Sequence, residues 1–554
     1  MSDKPSAAPS RRNFLKLSAI AAAGAATPVA AAETPPTLPT PAAPGFDHLV
    51  VLMFENRSFD NLLGHLYEPG TVPDGQSFNG LAGGAFANPS PGGPVAAHVY
   101  DGATDWIMRS PTPDPGEEFP HVNTQIFGTV DPPGNARVEF KKMHAPFNAP
   151  PGRTRATMDG FVADYINNFG ATQGREPRSE EYAVVMGGFS PEMLPVTSAL
   201  ARGFAVYDAW FCGVPSQTFC NRSFFASSQS SGNVTNGGGP DGYRKWEKNE
   251  GPTIFNRLEE AGLSWAVYFD ESQMVSVTGF INEPALKPFW KTRFFGMKRF
   301  YEDAAAGKLP AYVFIEPRLV YDHNDMHPPV PSLEIHGPDG TPLLIGAGSD
   351  VRAGERLLHD VYSAIRDSAA PAGSNALNTL LLVTFDEHGG TYDHVPPPPA
   401  VPPGPVADPE MGFGFDRLGV RVPAIAISAW TRAGTVINDE MHHAAAVVTL
   451  CRKHGLKPLT ARDENARDLT NALNLTEPRM PRDWPETTPQ YVPPNPEARG
   501  PFTPAEARMP LSPPALSLMG VLAAKAGLPP DRRPETFGEA YDLLQRFGKG
   551  LFGA

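Results

Sequence analysis

Three segments of the chain gather the residue types that bind a hard cation and activate a hydroxyl group. Glu55-Asn56-Arg57-Ser58-Phe59-Asp60 opens with two adjacent oxygen donors directly after an apolar run. Hard divalent cations favour such ligands. Asp386-Glu387-His388-Gly389-Gly390-Thr391-Tyr392-Asp393-His394 starts with two consecutive carboxylates, again after an apolar run. Two carboxylates leaving a buried strand are costly unless they are paired or bound to metal. Ser216-Gln217-Thr218-Phe219-Cys220-Asn221-Arg222 sets hydroxyls at the start of a helix-forming stretch. A helix N-terminus favours anions such as phosphate. A cation beside a hydroxyl there lowers its pKa and makes it a nucleophile. Taken singly, each segment has a plainer reading, as a helix cap or an exposed acidic turn.

These segments are positioned by the apolar runs that precede them. Leu49-Val50-Val51-Leu52-Met53-Phe54 is too short for a helix of its own and rich in strand formers, which predicts a buried parallel strand. Similar runs recur at Phe204–Tyr207, Trp265–Phe269, Tyr312–Ile315, Leu380–Phe385 and Val422–Ser428. Helical patterns lie between them. Leu357, Leu358, Val361, Tyr362 and Ile365 form one apolar face, and His442–His454 forms another, with Gly455 as its expected C-cap. The alternation predicts an α/β fold with a mainly parallel central sheet and long Pro/Gly-rich loops. Five runs end at an acid: Glu55, Asp208, Asp270, Glu316 and Asp386. Ligands of open parallel sheets bind beyond the carboxyl ends of the strands, so these acids point to a cation site.

Composition sets the outer limits. The 554 residues carry 46 Lys+Arg against 60 Asp+Glu, a net charge of −14. Such an acidic chain lacks the electrostatic footprint of nucleic-acid binding, and no nucleic-acid partner is expected. Apolar residues at 41% are enough for a sizeable core, while 63 Pro and 53 Gly point to irregular loops. Residues 1–32 read as a twin-arginine signal peptide: Arg11-Arg12, an Ala-rich apolar stretch, then Ala30-Ala31-Ala32. Export through the twin-arginine machinery to the periplasm or the medium is the expectation. Residues 33–45 read as a Pro-rich linker and 46–470 as the catalytic domain. Residues 471–554 read as a C-terminal extension, partly helical and packed on that domain. Cys212, Cys220 and Cys451 are too few for a disulfide framework, and a single Cys212–Cys220 bridge or buried free thiols fit equally well.

Together the segments resemble the bacterial phosphoesterase family, which includes non-specific phospholipases C and a respiratory-burst-inhibiting type of acid phosphatase. The opening ENRSFD stands unbroken at Glu55–Asp60, with Gly64 after it. DE-x-x-G-x-x-DHV stands at Asp386–Val395, G-x-RVP at Gly419–Pro423 and ND-x-H-P at Asn324–Pro328. The resemblance implies an alkaline-phosphatase-like α/β/α sandwich with one divalent metal ion. An all-oxygen ligand set favours calcium, magnesium or manganese. On the matching positions Glu55, Asn56, Asp386 and Glu387 would be metal ligands, joined by Thr218 at the nucleophile position of a T-x-P-N-R element. Two departures stand out. Cys220 replaces the Pro of that element, which puts the geometry of the loop in question. Glu117, in Asp114-Pro115-Gly116-Glu117, stands where the family often carries the His of D-P-x-H, and His121 is the candidate to replace it.

The resemblance further implies a phosphoric-ester hydrolase. Thr218 would attack phosphorus in line and form a phosphothreonine. His327, with His443 or His121, would protonate the leaving alcohol or steady its charge. His323, His394 and His442 are further candidate histidines, of which only His394 lies within a motif. A phosphate ester or phospholipid is the expected substrate, with phospholipase C-like activity preferred to acid phosphatase. A non-catalytic metal- or phosphate-binding protein is the remaining alternative. The Phe-rich segment Phe289–Phe300 reads as core or lid, with a lipid-facing surface for transient membrane contact as the other reading.

Overall fold

The computed structural model describes residues 38–102, 104–150, 155–329, 331–336, 342–346, 349–490, 502–504 and 506–553. The expected signal peptide and the first part of the linker lie outside the described residues.

The centre is an eight-stranded sheet. Its strands are β1 (His48–Phe54), β2 (Ala205–Tyr207), β3 (Trp265–Phe269), β4 (Phe294–Gly296), β5 (Tyr312–Glu316), β6 (Thr379–Phe385), β7 (Ala424–Ile427) and β8 (Thr435–Ile437). Their order across the sheet is β8-β2-β7-β6-β1-β5-β3-β4. All neighbours run parallel except β7, which is antiparallel to both β6 and β2. Every residue of β3, β5 and β6 is buried, as is β1 beyond His48. Strands buried on both faces need helices on both sides, and their near-continuous apolar sequence follows from that.

Helices α1 (Phe119–Phe127), α2 (Phe161–Gln173), α3 (Pro195–Gly203), α4 (Thr218–Ser227), α5 (Met297–Ala305), α6 (Val351–Arg366), α7 (Ala444–His454) and α8 (Pro513–Lys525) supply most of that cover. α6 packs on α3 and α5, while α4 packs on α7. α1 and α2 pack on each other around a separate small core of Val122, Ile126, Phe161 and Tyr165. The apolar face expected over Leu357–Ile365 belongs to α6, and α7 ends as expected at Gly455, which adopts φ +65°. The three cysteines are buried free thiols, so the Cys212–Cys220 bridge is not formed.

The Phe-rich segment is core. Phe294 and Phe300 are fully buried and Trp290 is nearly so. Its lipid-facing reading fails because the end of the chain covers it. Phe552 lies 4.8 Å from Trp290 and 5.3 Å from Phe294, ring centre to ring centre, and also meets Phe269 and Phe280. Phe552→Ala is expected to cost about 3–5 kcal/mol of stability, as aromatic truncations in packed cores do. Denaturant midpoints of the two proteins check this.

Candidate active site

The strand register brings the first two motifs together. Phe54 pairs with Phe385, so Glu55 and Asp386 leave adjacent parallel strands side by side. Asn56 follows in the left-handed region, at φ +56°. Its amide N–H donates to Asp386 Oδ1 at 3.1 Å. Asp386 Oδ1 also accepts from the Glu387 amide at 2.7 Å, and Glu387 Oε2 accepts from the Gly389 amide at 2.8 Å. These bonds leave Asn56 Oδ1, Asp386 Oδ2 and Glu387 Oε1 buried without a donor. Burial raises the pKa of Glu55, Asp386 and Glu387, and the neighbouring carboxylates raise Glu55 and Glu387 further. Buried oxygens without a donor at the ends of adjacent strands fit a hard divalent cation. The residues expected to hold one therefore suit it.

The remaining strand-end acids are taken up by other partners. Glu316 accepts from Ser276, Val277 and Thr278 at the start of the helix Val277–Ile281. Asp208 accepts from Asn79 and Asn438, and Asp270 pairs with Arg318 at 3.1 Å. Asp60, Asp393 and His394 also gather near the first motif. Arg421 fills that cluster, donating to Asp393 at 2.9 Å and Asp60 at 3.0 Å, and so staples three motifs together.

Thr218 opens α4, with Gln217 as its N-cap residue. Its hydroxyl donates to Glu55 Oε2 at 3.2 Å. Cys220 falls at the third helical position, where no intrahelical bond is made by the amide, so either Cys or Pro is compatible with the helix start. Arg222, one turn after Thr218, reaches the same place. Its Nε donates to Glu55 Oε1 at 2.8 Å and lies 3.5 Å from Asp386 Oδ2. Sequence reasoning left Arg222 without a role, although its i, i+4 spacing from Thr218 signals a shared helix face.

His327 is fully buried beside this group. Its Nδ1 lies 2.6 Å from the Pro328 carbonyl, so Nδ1 carries a proton and Nε2 faces inward. Nε2 lies 3.6 Å from Glu117 Oε2. Burial disfavours charge on the ring, but Asp114 and Glu117 outweigh it and lift the imidazole to about 10. Glu117 accepts from Asn56 Nδ2 and, at 3.3 Å, from Gln217 Nε2. Glu117 and Asp114 are thus members of the group, and the only sequence signal was that Glu117 stood in a histidine's place.

The other two candidate histidines sit behind the site. His443 Nε2 donates to the Asp386 carbonyl at 2.6 Å, and its Nδ1 accepts from Trp210 at 3.3 Å. Burial pushes it down to about 4, so it is a neutral prop. His121 bonds to Asp164 at 2.8 Å in the seam between α1 and α2. Burial lowers its pKa, but Asp164 overrides this and raises it to about 9. Gln125 links Asp164 onward to His388, next to Glu387. On the opposite side, Asp325 accepts from the His327 amide and from His323, whose Nε2 meets Ser512 Oγ at 2.9 Å. His394 and His442 lie outside the bonds around Glu55, Asp386 and Glu387: His394 is held by Asp60, and His442 accepts from the Ala444 amide.

A family model described as the phosphoesterase family matches residues 46–335 and 346–457. The chain belongs to the phosphoesterase family. It is a hydrolase of phosphate esters. Non-specific phospholipase C3 of Arabidopsis thaliana is 33% identical over 459 residues, 80% of this chain and 76% of that protein. Phospholipase C B of Mycobacterium tuberculosis (strain ATCC 25618 / H37Rv) is 26% identical over 518 residues, 85% and 86% of the two chains. Among solved structures, a protein in the alkaline phosphatase superfamily from Vibrio parahaemolyticus matches at 14% identity and TM-score 0.29, covering 50% and 63%.

Gly389 gives a test of the cradle. It adopts φ +61°, and a Cβ there would lie 2.2 Å from the Asn56 carbonyl oxygen. Gly389→Ala must therefore displace Asn56. A loss of about 10–100-fold in divalent-cation affinity is expected, the usual range for disturbing the shell behind metal ligands. Calorimetric titration with Mn²⁺ checks it.

Proposed function

We propose that the enzyme is a phospholipase C-type hydrolase acting through Thr218, and that it is exported by the twin-arginine pathway to the periplasm or the medium. The observation that carries the catalytic reading is the meeting of the Thr218 hydroxyl with Glu55 Oε2 at 3.2 Å, beside three buried, donor-free oxygens of Asn56, Asp386 and Glu387. Relatives named as phospholipases C support the substrate class. The twin arginines Arg11 and Arg12 support the export route. No helix among the described residues is long and apolar enough to cross a membrane.

A divalent cation held by Glu55, Asn56, Asp386, Glu387 and Thr218 would polarise a phosphoryl oxygen and lower the pKa of the Thr218 hydroxyl. The chain's own residues do the rest. The bond to Glu55 turns the Thr218 proton away from the incoming phosphorus and gives it a carboxylate to go to. The first turn of α4 adds the favourable field of a helix N-terminus for the phosphoryl group. Thr218 Oγ1 attacks phosphorus, the bond to the diacylglycerol oxygen breaks, and a phosphothreonine ester carrying the head group remains. His327 contributes positive charge at Nε2, where it steadies the charge on the leaving oxygen. Water then releases the phosphorylated head group. Arg222 holds Glu55 and Asp386 in register throughout.

The test compares p-nitrophenylphosphorylcholine with p-nitrophenyl phosphate and follows phosphocholine release from phosphatidylcholine vesicles. Faster turnover of the diester and release of phosphocholine are the expected results. Preference for the monoester would replace this reading with an acid phosphatase, and binding without turnover would make the protein non-catalytic. Chelation by EDTA is expected to abolish diester hydrolysis, and added Mn²⁺ to restore it.

A further inference from the structure

We infer that Asp114, Glu117 and His327 form a second divalent-cation site beside the first. One ligand atom from each of the three lies within 4.8 Å of the other two. The decisive observation is His327 Nε2. The ring is fully buried, and Nε2 has no hydrogen-bond partner. Because Nδ1 holds its proton against the Pro328 carbonyl, Nε2 is the nitrogen that points into the group, and it offers a lone pair when a cation takes the place of its proton. A histidine whose other nitrogen donates to a backbone carbonyl is in the tautomer that binds metal.

The distances separate a cation from a proton. A protonated Nε2 bonded to a carboxylate would close to about 2.7–2.9 Å. The separation from Glu117 Oε2 is 3.6 Å. Two donors each about 2.1 Å from a tetrahedral ion stand roughly 3.4 Å apart. Asp114 adds the third ligand, and its Oδ1 is likewise buried without a partner. Two carboxylates and one imidazole suit Mn²⁺ or Zn²⁺ rather than calcium, which takes more oxygens.

Charge gives the same answer from the substrate side. Glu117 bonds to Gln217, the neighbour of the Thr218 hydroxyl that must meet an anionic phosphoryl group, so the two carboxylates would repel that group and a cation between them reverses the sign. The two sites share the Asn56 amide: Oδ1 belongs to the first, and Nδ2 donates to Glu117. This inference rests on the Thr218 reading of the active site, and it assigns the positive charge at His327 Nε2 to an ion. Two cations flanking a displacement steady both the attacking and the leaving oxygen.

The full-length protein is dialysed against excess Mn²⁺ and the bound metal counted. Two equivalents are expected in the wild type, and one in Glu117→Gln and in Asp114→Asn. Electron paramagnetic resonance should show spin-coupled Mn²⁺ in the wild type and the isolated six-line spectrum in each variant. One equivalent or none in the wild type overturns the second site. So do two equivalents retained in either variant, or the loss of both ions together. The phospholipase C reading is judged separately, by phosphocholine release from the wild type, so its failure is distinguishable from a wrong metal count.

Discussion

Thr218→Ala is expected to hydrolyse p-nitrophenylphosphorylcholine at least about 10³-fold more slowly than wild type, as removal of the proposed covalent nucleophile would require. The expectation follows from geometry. Thr218 donates to Glu55 Oε2 at 3.2 Å and stands at the first position of α4, itself 1% exposed. Removing Oγ1 takes away the proposed attacking atom and one expected ligand of the cation. It leaves the carboxylates and Arg222 in place, because Arg222 bonds to the other oxygen of Glu55. KM should therefore change little while kcat collapses. Thr218→Ser keeps the oxygen and should retain activity within about tenfold, the difference being rotamer freedom that the β-branched side chain lacks. Acid quenching of wild type during turnover should trap one phosphocholine ester on the Thr218 peptide, readable by mass spectrometry. Unchanged turnover in Thr218→Ala would transfer the nucleophile's role to another group.

The parts of this site that were legible in the sequence are those fixed locally. Six of the eight strands are continuous apolar runs, because strands covered on both faces must be. The two that escaped, Phe294–Gly296 and Thr435–Ile437, are three-residue edge strands whose only reason to be strands is the neighbour they pair with. An apolar run ending in an acid looked the same in five places. Glu55 and Asp386 reach the site because their strands are adjacent at the middle of the sheet. Glu316, Asp208 and Asp270 find caps and partners that come from distant segments. His443 shows the same limit. It lies close to Asp386, but the path of the chain into α7 turns its ring nitrogens to the Asp386 carbonyl and Trp210. Glu117 was readable as a departure, yet its contact with Asn56 depends on a loop folding back over the strand ends.

Arg222→Leu is expected to cost about 3–5 kcal/mol of stability, the range found when one partner of a buried ion pair is removed. The guanidinium is fully buried, and burial by itself works against its charge. Glu55 and Asp386 hold it charged nonetheless. Without it, both carboxylates remain in a dry interior with an apolar neighbour. Arg222→Lys keeps the charge but cannot reach both acids with a planar fork, so an intermediate loss is expected. The size of the effect should depend on the cation. With a divalent ion bound, Glu55 and Asp386 keep one compensating charge after the substitution; in EDTA they keep none. The melting temperature of Arg222→Leu should thus fall further below wild type in EDTA than in Mn²⁺. The pH dependence has a definite sign as well. Burial holds the pKa of Glu55, Asp386 and Glu387 above the ordinary carboxylate range. In metal-free protein a raised carboxylate pKa gives stability that is complete below the unfolded value of about 4 and is lost as pH rises through the folded one. A cation needs the deprotonated ligands, so the stabilisation by Mn²⁺ should grow as pH rises over the same interval. Equal losses for Arg222→Leu with and without Mn²⁺ would place the cation away from these two carboxylates, because an ion bound there cannot leave their unpaired charge unchanged.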